Sequence, residues 1–355
     1  MKKSLLLILI ISWISNLHAA VIEYDVYGVG PTIQNGILSC CKDSIQEYGQ
    51  LQRQLRLGLT QDGEKLTKKL GDVQKLILQK INKLGDFSLI DISDVFYPQD
   101  RKNFITIDIV KADESYRLPP TVKRKIYPHL DKTEGLNQLY SLWKQYDEEN
   151  INLIRMDKID LKAKTCPVNH CTWGFDQKEL KAYLPQFKTQ SQKYKVQLVN
   201  IIEHSDNDDD RQIAILLLAH SEDYSALAHF LIKYTDDSSS VVRNNTMRVL
   251  SAILTKHAVK NLDINRIFQA LDYPYLTDRN KAAAVLWQIV QKDSSTHSIV
   301  IQKTGATLIK LLKLKQPNNH DFAYLILKNL SHKNYGEYDY PKWELWVNTN
   351  KKNLS

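Results

Sequence analysis

After its first twenty residues the sequence has no stretch apolar enough to cross a bilayer, no concentrated lysine and arginine block, and only four cysteines in 355 residues. The first absence excludes a membrane-spanning helix, which needs about 20 consecutive apolar residues. The second removes the footprint of a nucleic-acid binder, although the chain is mildly basic at a formal charge of +8. Reaction-bearing motifs are missing too: no nucleophile elbow, no His-Glu-x-x-His, no phosphate loop and no His/Cys pair at catalytic spacing. Gly28-Val29-Gly30 follows a predicted strand, but Ile33 stands where the third glycine of a dinucleotide loop belongs, so the segment reads as a turn. No catalytic residue and no cofactor are therefore expected. His204, His220, His229, His257 and His297 read as surface or packing residues.

What is present begins with a leader. Lys2 and Lys3 precede an apolar run from Leu5 to Ile14, and small residues follow at Ala19 and Ala20. This is the pattern of a secretory signal peptide, cut after Ala19 even though Leu17 is larger than the preferred residue. An uncleaved anchor is the alternative. The expectation is an exported protein, periplasmic or secreted, with no transmembrane segment after signal removal. Losing Lys2 and Lys3 takes the formal charge from +8 to +6, and export makes chromosomal DNA an improbable partner. The apolar fraction of 43% permits a sizeable core, and the length suits two domains.

From residue 22 apolar Ile22, Tyr24 and Val26 alternate with Glu23 and Asp25, the two-residue period of a strand. Ile33, Ile37, Cys41, Ile45 and Tyr48 then recur at helical spacing. A second helix over about 64–84 carries Leu66, Leu70, Val73, Ile77, Ile81 and Leu84 on one stripe and lysines elsewhere. It reads as a helix docked on a sheet; a helix lying on a membrane surface is the alternative. Ile90 and Ile92, then Ile105, Ile107 and Ile109, alternate as strands around a turn-rich 98–103. This β-α-α-β-β order over 21–111 resembles the polypeptide-transport-associated (POTRA) modules of envelope proteins, in topology alone.

Residues 112–130 read as a linker broken by Pro119 and Pro120, followed by a helix from Glu134 to about Ile154, with Asp131 and Glu134 resembling a capping box. Cys166-Pro-Val-Asn-His170-Cys171 is the most distinctive short stretch. It reads as a local disulfide, Cys166 to Cys171, as an oxidising compartment favours. The alternative is a metal site on Cys166, His170 and Cys171, which lacks the fourth ligand a structural zinc site needs. Asp176 and Glu179 make another capping-box-like pair. Cys40 and Cys41 read as buried free thiols, with cross-pairing to Cys166 or Cys171 as the alternative.

From about Gln190 one pattern recurs: a helix, a break, and a second helix opening at Arg211, Arg243, Arg279 and His320, spaced by 32, 36 and 41 residues. Three residues on stand Ala214, Thr246, Ala282 and Ala323; six and seven on stand Leu217/Leu218, Val249/Leu250, Val285/Leu286 and Ile326/Leu327. Small residues allow close helix approach while the large pair fills a core, as stacked two-helix units require. Asp237 with Val242-Arg243, and more loosely Asp206 with Arg211 and Asp272 with Arg279, make 190–332 resemble HEAT repeats; His320 departs from the pattern. The resemblance implies an armadillo-type α-solenoid in which these aspartates and arginines brace the turns. Asp206, Asp208 and Asp210 match the opening of a calcium loop, but Arg211 replaces its glycine and Leu217 its glutamate, so the acidic run reads as a helix start. Tyr335, Tyr338, Tyr340, Trp343 and Trp346 read as a cap on the last repeat, with an exposed aromatic ligand site as the alternative.

The expected fold is mostly α: a small α+β domain (20–111), a helical junction (112–189), about four HEAT-like helix pairs (190–332) and an aromatic tail (333–355), behind a signal peptide (1–19). The expected function is a non-enzymatic scaffold for a protein or peptide partner, without nucleic acid. The alternative is an exported enzyme or metal-dependent module with a site near Cys166 and Cys171.

Overall fold

A computed structural model describes residues 21–56, 62–97, 102–120, 127, 132–156, 158–159, 168–170, 177–221 and 223–353. The signal segment, Cys166, Cys171, Asp131, Asp176 and most of the 98–103 turn lie outside the described residues. The chain forms two compact units, Met1–Ser115 with Leu314–Gln316, and Tyr116–Lys313 with Pro317–Ser355. It is mostly helical, with a small mixed sheet near the start. Among the described residues no helix is long and apolar enough to cross a membrane.

The first unit runs β1 (Val21–Tyr27), α1 (Pro31–Arg56), α2 (Gly63–Ile81), β2 (Phe87–Tyr97) and β3 (Lys102–Lys111). The sheet order is β1-β3-β2, with β1 parallel and β2 antiparallel to β3. Two intervening helices give the long crossover a parallel pair requires, whereas a short turn suffices for the antiparallel one. β3 takes the centre because its residues 103–110 are buried on both faces. Ile105, Ile107 and Ile109 meet Ile37, Cys41, Ile45 and Tyr48 of α1 and Val73, Ile77 and Ile81 of α2. Both helical stripes step by three or four residues, so each helix buries one face and leaves Lys65, Lys68, Lys69 and Lys75 in water. Cys41 is wholly buried in this core, Cys40 is exposed, and both are free thiols. Burial, with the Cys40 thiol beside it, pushes the Cys41 thiol up to about 12, which makes it inert at neutral pH.

α1 approaches the sheet tightly at Gly49, where a Cβ would stand 2.9 Å from Ile105 Cδ1 and 3.0 Å from Ile22 Cδ1. Gly49→Val is expected to cost about 1–3 kcal/mol through overpacking. Gly71 lies on α2 with nothing within 4 Å of the same position, so Gly71→Ala should stabilise by roughly 1 kcal/mol from helix propensity alone. Urea melts of the two variants should move in opposite directions.

The second unit opens with α3 (Glu134–Arg155), followed by α4 (Lys178–Lys181), α5 (Leu184–Lys193), α6 (Lys195–His204) and α7 (Asp208–Leu218). The chain continues through α8 (Tyr224–Leu231), α9 (Ser240–Lys256), α10 (Asn265–Ala270), α11 (Leu276–Lys292), α12 (His297–Leu312), α13 (Pro317–Ser331) and α14 (Tyr340–Asn353). Two local expectations change. The first helix of the repeat pattern, expected from about Gln190, breaks at Tyr194, whose φ of −101° and ψ of 15° separate α5 from α6. Neither expected capping box supplies a described cap: Thr133 flanks α3 and Gln177 flanks α4, both without a side-chain cap bond. The acidic run does start a helix, with the Asn207 side chain accepting the Asp210 N–H at 3.2 Å.

α6/α7, α8/α9, α10/α11 and α12/α13 pack as pairs, and α7, α9, α11 and α13 neighbour one another in that order. The offsets seen in the sequence explain this row. Ala214, Thr246, Ala282 and Ala323 are fully buried, as are the large residues three and four positions further on. α14 packs on α12, where Val347 meets Gly305 at a point with no room for a Cβ. Trp343 is fully buried and its indole N–H donates to Gly336 O at 2.9 Å.

The repeat arginines close the turns. Arg211, Arg243 and Arg279 each donate to the carbonyl six residues earlier, at Ser205 (2.9 Å), Asp237 (2.7 Å) and Tyr273 (3.0 Å). Two of them also reach the next repeat: Arg211 donates to Asp237 Oδ1 at 3.2 Å and Arg243 Nε to Asp278 Oδ2 at 2.8 Å. The carboxylate facing Arg243 is thus that of Asp278 rather than Asp237, and Asp272, expected beside Arg279, pairs with Arg117 at 3.3 Å. Asp206 accepts from Arg211 through its backbone carbonyl at 3.2 Å. His320, lacking a guanidinium, bonds through Nδ1 to Leu312 O at 2.7 Å.

Asp278 is fully buried, and burial raises its pKa although Arg243 opposes the rise. Arg243→Ala should destabilise by about 3–5 kcal/mol by stranding that carboxylate. In urea melts Asp278→Asn added to Arg243→Ala should recover part of the loss, a coupling that two independent sites would not show.

Candidate functional site

The repeat pattern that buries offsets three, six and seven of each second helix turns offsets one, two and five the opposite way, at 100° per residue. On α7 these are Gln212, Ile213 and Leu216; on α9, Asn244, Asn245 and Arg248; on α11, Asn280, Lys281 and Ala284. α3 lies across the first two of these helices. Between them is a cavity of about 500 Å³. α3 contributes Trp143, Lys144, Tyr146, Asp147, Asn150, Ile151 and Ile154, and α9 adds Ser240 and Val241. α11 adds Thr277, and His170 lines one side.

Side chains link these walls. Asn245 donates to Gln212 Oε1 at 2.8 Å, joining α9 to α7, and Arg248 donates to Asn244 Oδ1 at 3.3 Å one turn back. Burial lowers the pKa of Arg248 while Asp147 opposes the fall; burial raises that of Asp147 while Arg248 opposes the rise. Lys281 is brought down to about 8 by burial and by the charge of Arg248. A second cavity, near Leu262 and Lys292, offers less free charge: Lys292 donates to the carbonyls of Leu254 and Thr255 and so caps the end of α9.

His170 is the one member of the sequence-predicted Cys166, His170, Cys171 group that is described. Asn169 Nδ2 donates to Ala219 O at 3.4 Å, and Lys256 of α9 donates to Val168 O at 2.7 Å. These bonds set the 168–170 segment against the C-terminal ends of α7 and α9, and bring His170 Nε2 to 2.8 Å from His220 Nε2. Trp143 and Phe187 pack on the two rings at centroid distances of 5.1 Å to His170 and 5.1 Å to His220 respectively. Such a contact needs one imidazole to donate and the other to accept, so at least the accepting ring is neutral. Burial, and next the charge of His220, hold His170 well below the ordinary histidine range; burial alone takes His220 to about 3. Among the described residues no group of three or more His, Cys, Asp or Glu side chains could hold a metal ion.

The cavity side chains escaped the motif search because none belongs to a reaction signature. Their signal is positional, in the offsets complementary to the core positions. Arg211, Arg243, Arg279 and His320 stand away from the cavity, at the turns. No protein-family model matches the chain. No curated protein matches it in sequence either.

The histidine pair makes a pH prediction. Both pKa values fall below the unfolded value of 6.5, so the unfolded state takes up protons first on acidification. The pair's contribution is complete above about pH 6.5 and is lost as pH falls toward 3, by roughly 1.4 kcal/mol per histidine per pH unit. Thermal melts should therefore show a decline beginning between about pH 6.5 and 5, before ordinary carboxylates titrate. His220→Gln, which keeps a hydrogen-bond acceptor but cannot titrate, should make that limb shallower. An unchanged limb would sink the assignment.

Proposed function

We propose that this chain is an exported, non-enzymatic scaffold that binds a protein or peptide partner along the face made by its second helices, with α3 forming one side of the binding cavity. The observation that carries the reading is the cavity itself. Its volume lies within the usual range for ligand sites, and it combines apolar wall with amide groups and a guanidinium. Amides at Asn150, Gln212, Asn244 and Asn245 offer both donors and acceptors, which suits the alternating N–H and C=O groups of an extended main chain. The paired helices and the Arg–Asp turn braces support assigning 190–332 to the HEAT-like class, whose stacked units supply long binding surfaces. The β-α-α-β-β order and three-stranded sheet of the first unit support its POTRA-like reading. There the long strand β2, at one end of the sheet order, offers a second contact by strand addition. Export rests on the leader, and places the partner in the envelope or outside the cell.

A photoreactive side chain at Val241, exposed at the cavity, should give one discrete cross-linked adduct in the exported fraction. The same group at Val196, exposed on α6, should give none. Equal labelling at both positions, or at neither, would count against the second-helix face. Intact-mass measurement of the protein from that fraction should give a chain starting at Ala20; retention of residues 1–19 would overturn the cleaved-export part of the proposal.

A further inference from the structure

The cavity walled by α3, α7 and α9 carries more positive than negative charge, and two of its polar atoms have no partner. Arg248 is anchored at one terminal nitrogen by Asn244, but its Nε is buried without a hydrogen-bond acceptor. The Asn150 Oδ1 on the facing helix is buried and likewise unbonded. Buried polar atoms are nearly always satisfied, so orphans that line a cavity mark where ligand atoms belong. Lys281 stands on α11 one turn beyond Thr277, which lines the same space, and the charge of Arg248 adds to the burial that lowers its pKa. Cations on neighbouring helices repel each other, a cost that a bound anion reduces. Asp147 is the one carboxylate among the described lining residues.

A lone small ion would leave most of a cavity of about 500 Å³ unfilled. Between the charged points its walls are apolar, at Trp143, Ile151, Leu216 and Val241. The ligand must therefore join an anionic group to apolar groups a few ångströms away. Guanidinium suits a carboxylate, because Nε and a terminal nitrogen present a planar fork to its two oxygens.

We infer that the cavity takes an acidic segment of a partner polypeptide, with one carboxylate seated on Arg248 and a neighbouring apolar side chain against the wall around Trp143. The inference rests on the second-helix face being the partner surface and adds the chemistry that this face selects. Asn150 Oδ1 accepts a main-chain N–H of the segment, which satisfies the second orphan.

The test uses the full mature chain and an array of decapeptides matched in apolar content, whose acidic residues range from none to five. Binding should rise with acidic content. Arg248→Gln should weaken binding to the acidic members by about tenfold or more, the effect of losing one charge-assisted hydrogen bond. Lys281→Gln should weaken it in the same direction. Asp147→Asn should strengthen it by about two- to fivefold, since it removes a repelling charge from a partly exposed position. A gain of affinity is an outcome that misfolding cannot imitate. Binding that ignores acidic content, or that survives Arg248→Gln unchanged, overturns the inference. Calorimetric titration with sodium acetate and with inorganic phosphate separates the ligand sources: saturation by either ion with no preference among the peptides overturns the peptide assignment. A discrete adduct at Val241 together with flat peptide binding would leave the partner surface standing and remove only the acidic chemistry. Absence of the adduct would remove the surface itself.

Discussion

The second unit depends on one interaction, the reach of a buried arginine from the start of each second helix back to the carbonyls of the preceding turn. A turn between two packed helices leaves carbonyl groups that water cannot reach, and each would cost about 1–3 kcal/mol if left unpaired. Arg211, Arg243 and Arg279 satisfy these groups at the same six-residue offset. Because a guanidinium has donors left over, two of the three also bind an aspartate of the following repeat, at Asp237 and Asp278. Each pair is thereby tied to the next, and the helix row keeps its register.

That register also decides what the other side of each helix presents. With offsets three, six and seven committed to the core, offsets one, two and five line up across α7, α9 and α11. The residues there include the amides of Gln212, Asn244 and Asn245 and the cations of Arg248 and Lys281. The cavity is thus a by-product of the repeat: α3 lies over one end of the row, and the space left between holds Arg248 opposite Asp147 and Asn150. The neutral His170–His220 pair belongs to the same neighbourhood and helps hold the 168–170 segment against the helix ends.

Much of the fold was legible from spacing. The isoleucines of β3, the stripes of α1 and α2, and the four second helices all announced themselves because burial repeats with the period of the backbone. Turn chemistry was harder to read. Asp272 and Asp278 both stand near Arg279, and only the packing of α9 against α11 selects Asp278 as the partner of Arg243. Tyr194 divides a helix that periodicity alone would continue, since the residues on both sides keep a helical pattern. The cavity was hidden for another reason: its residues come from four helices and the 168–170 segment, so no local window contains the constellation.

Sequence by itself determined the period of each element, the residues that face a core, and the recurrence of arginine at each second helix, because these follow from local backbone geometry and apolar burial. Tertiary structure alone decided which acid meets which arginine, that His170 meets His220 across 50 residues, and that Arg248, Asn150 and Asp147 share one cavity. Those are distances between elements, set by how the helices pack, and a chain read one residue after another does not contain them.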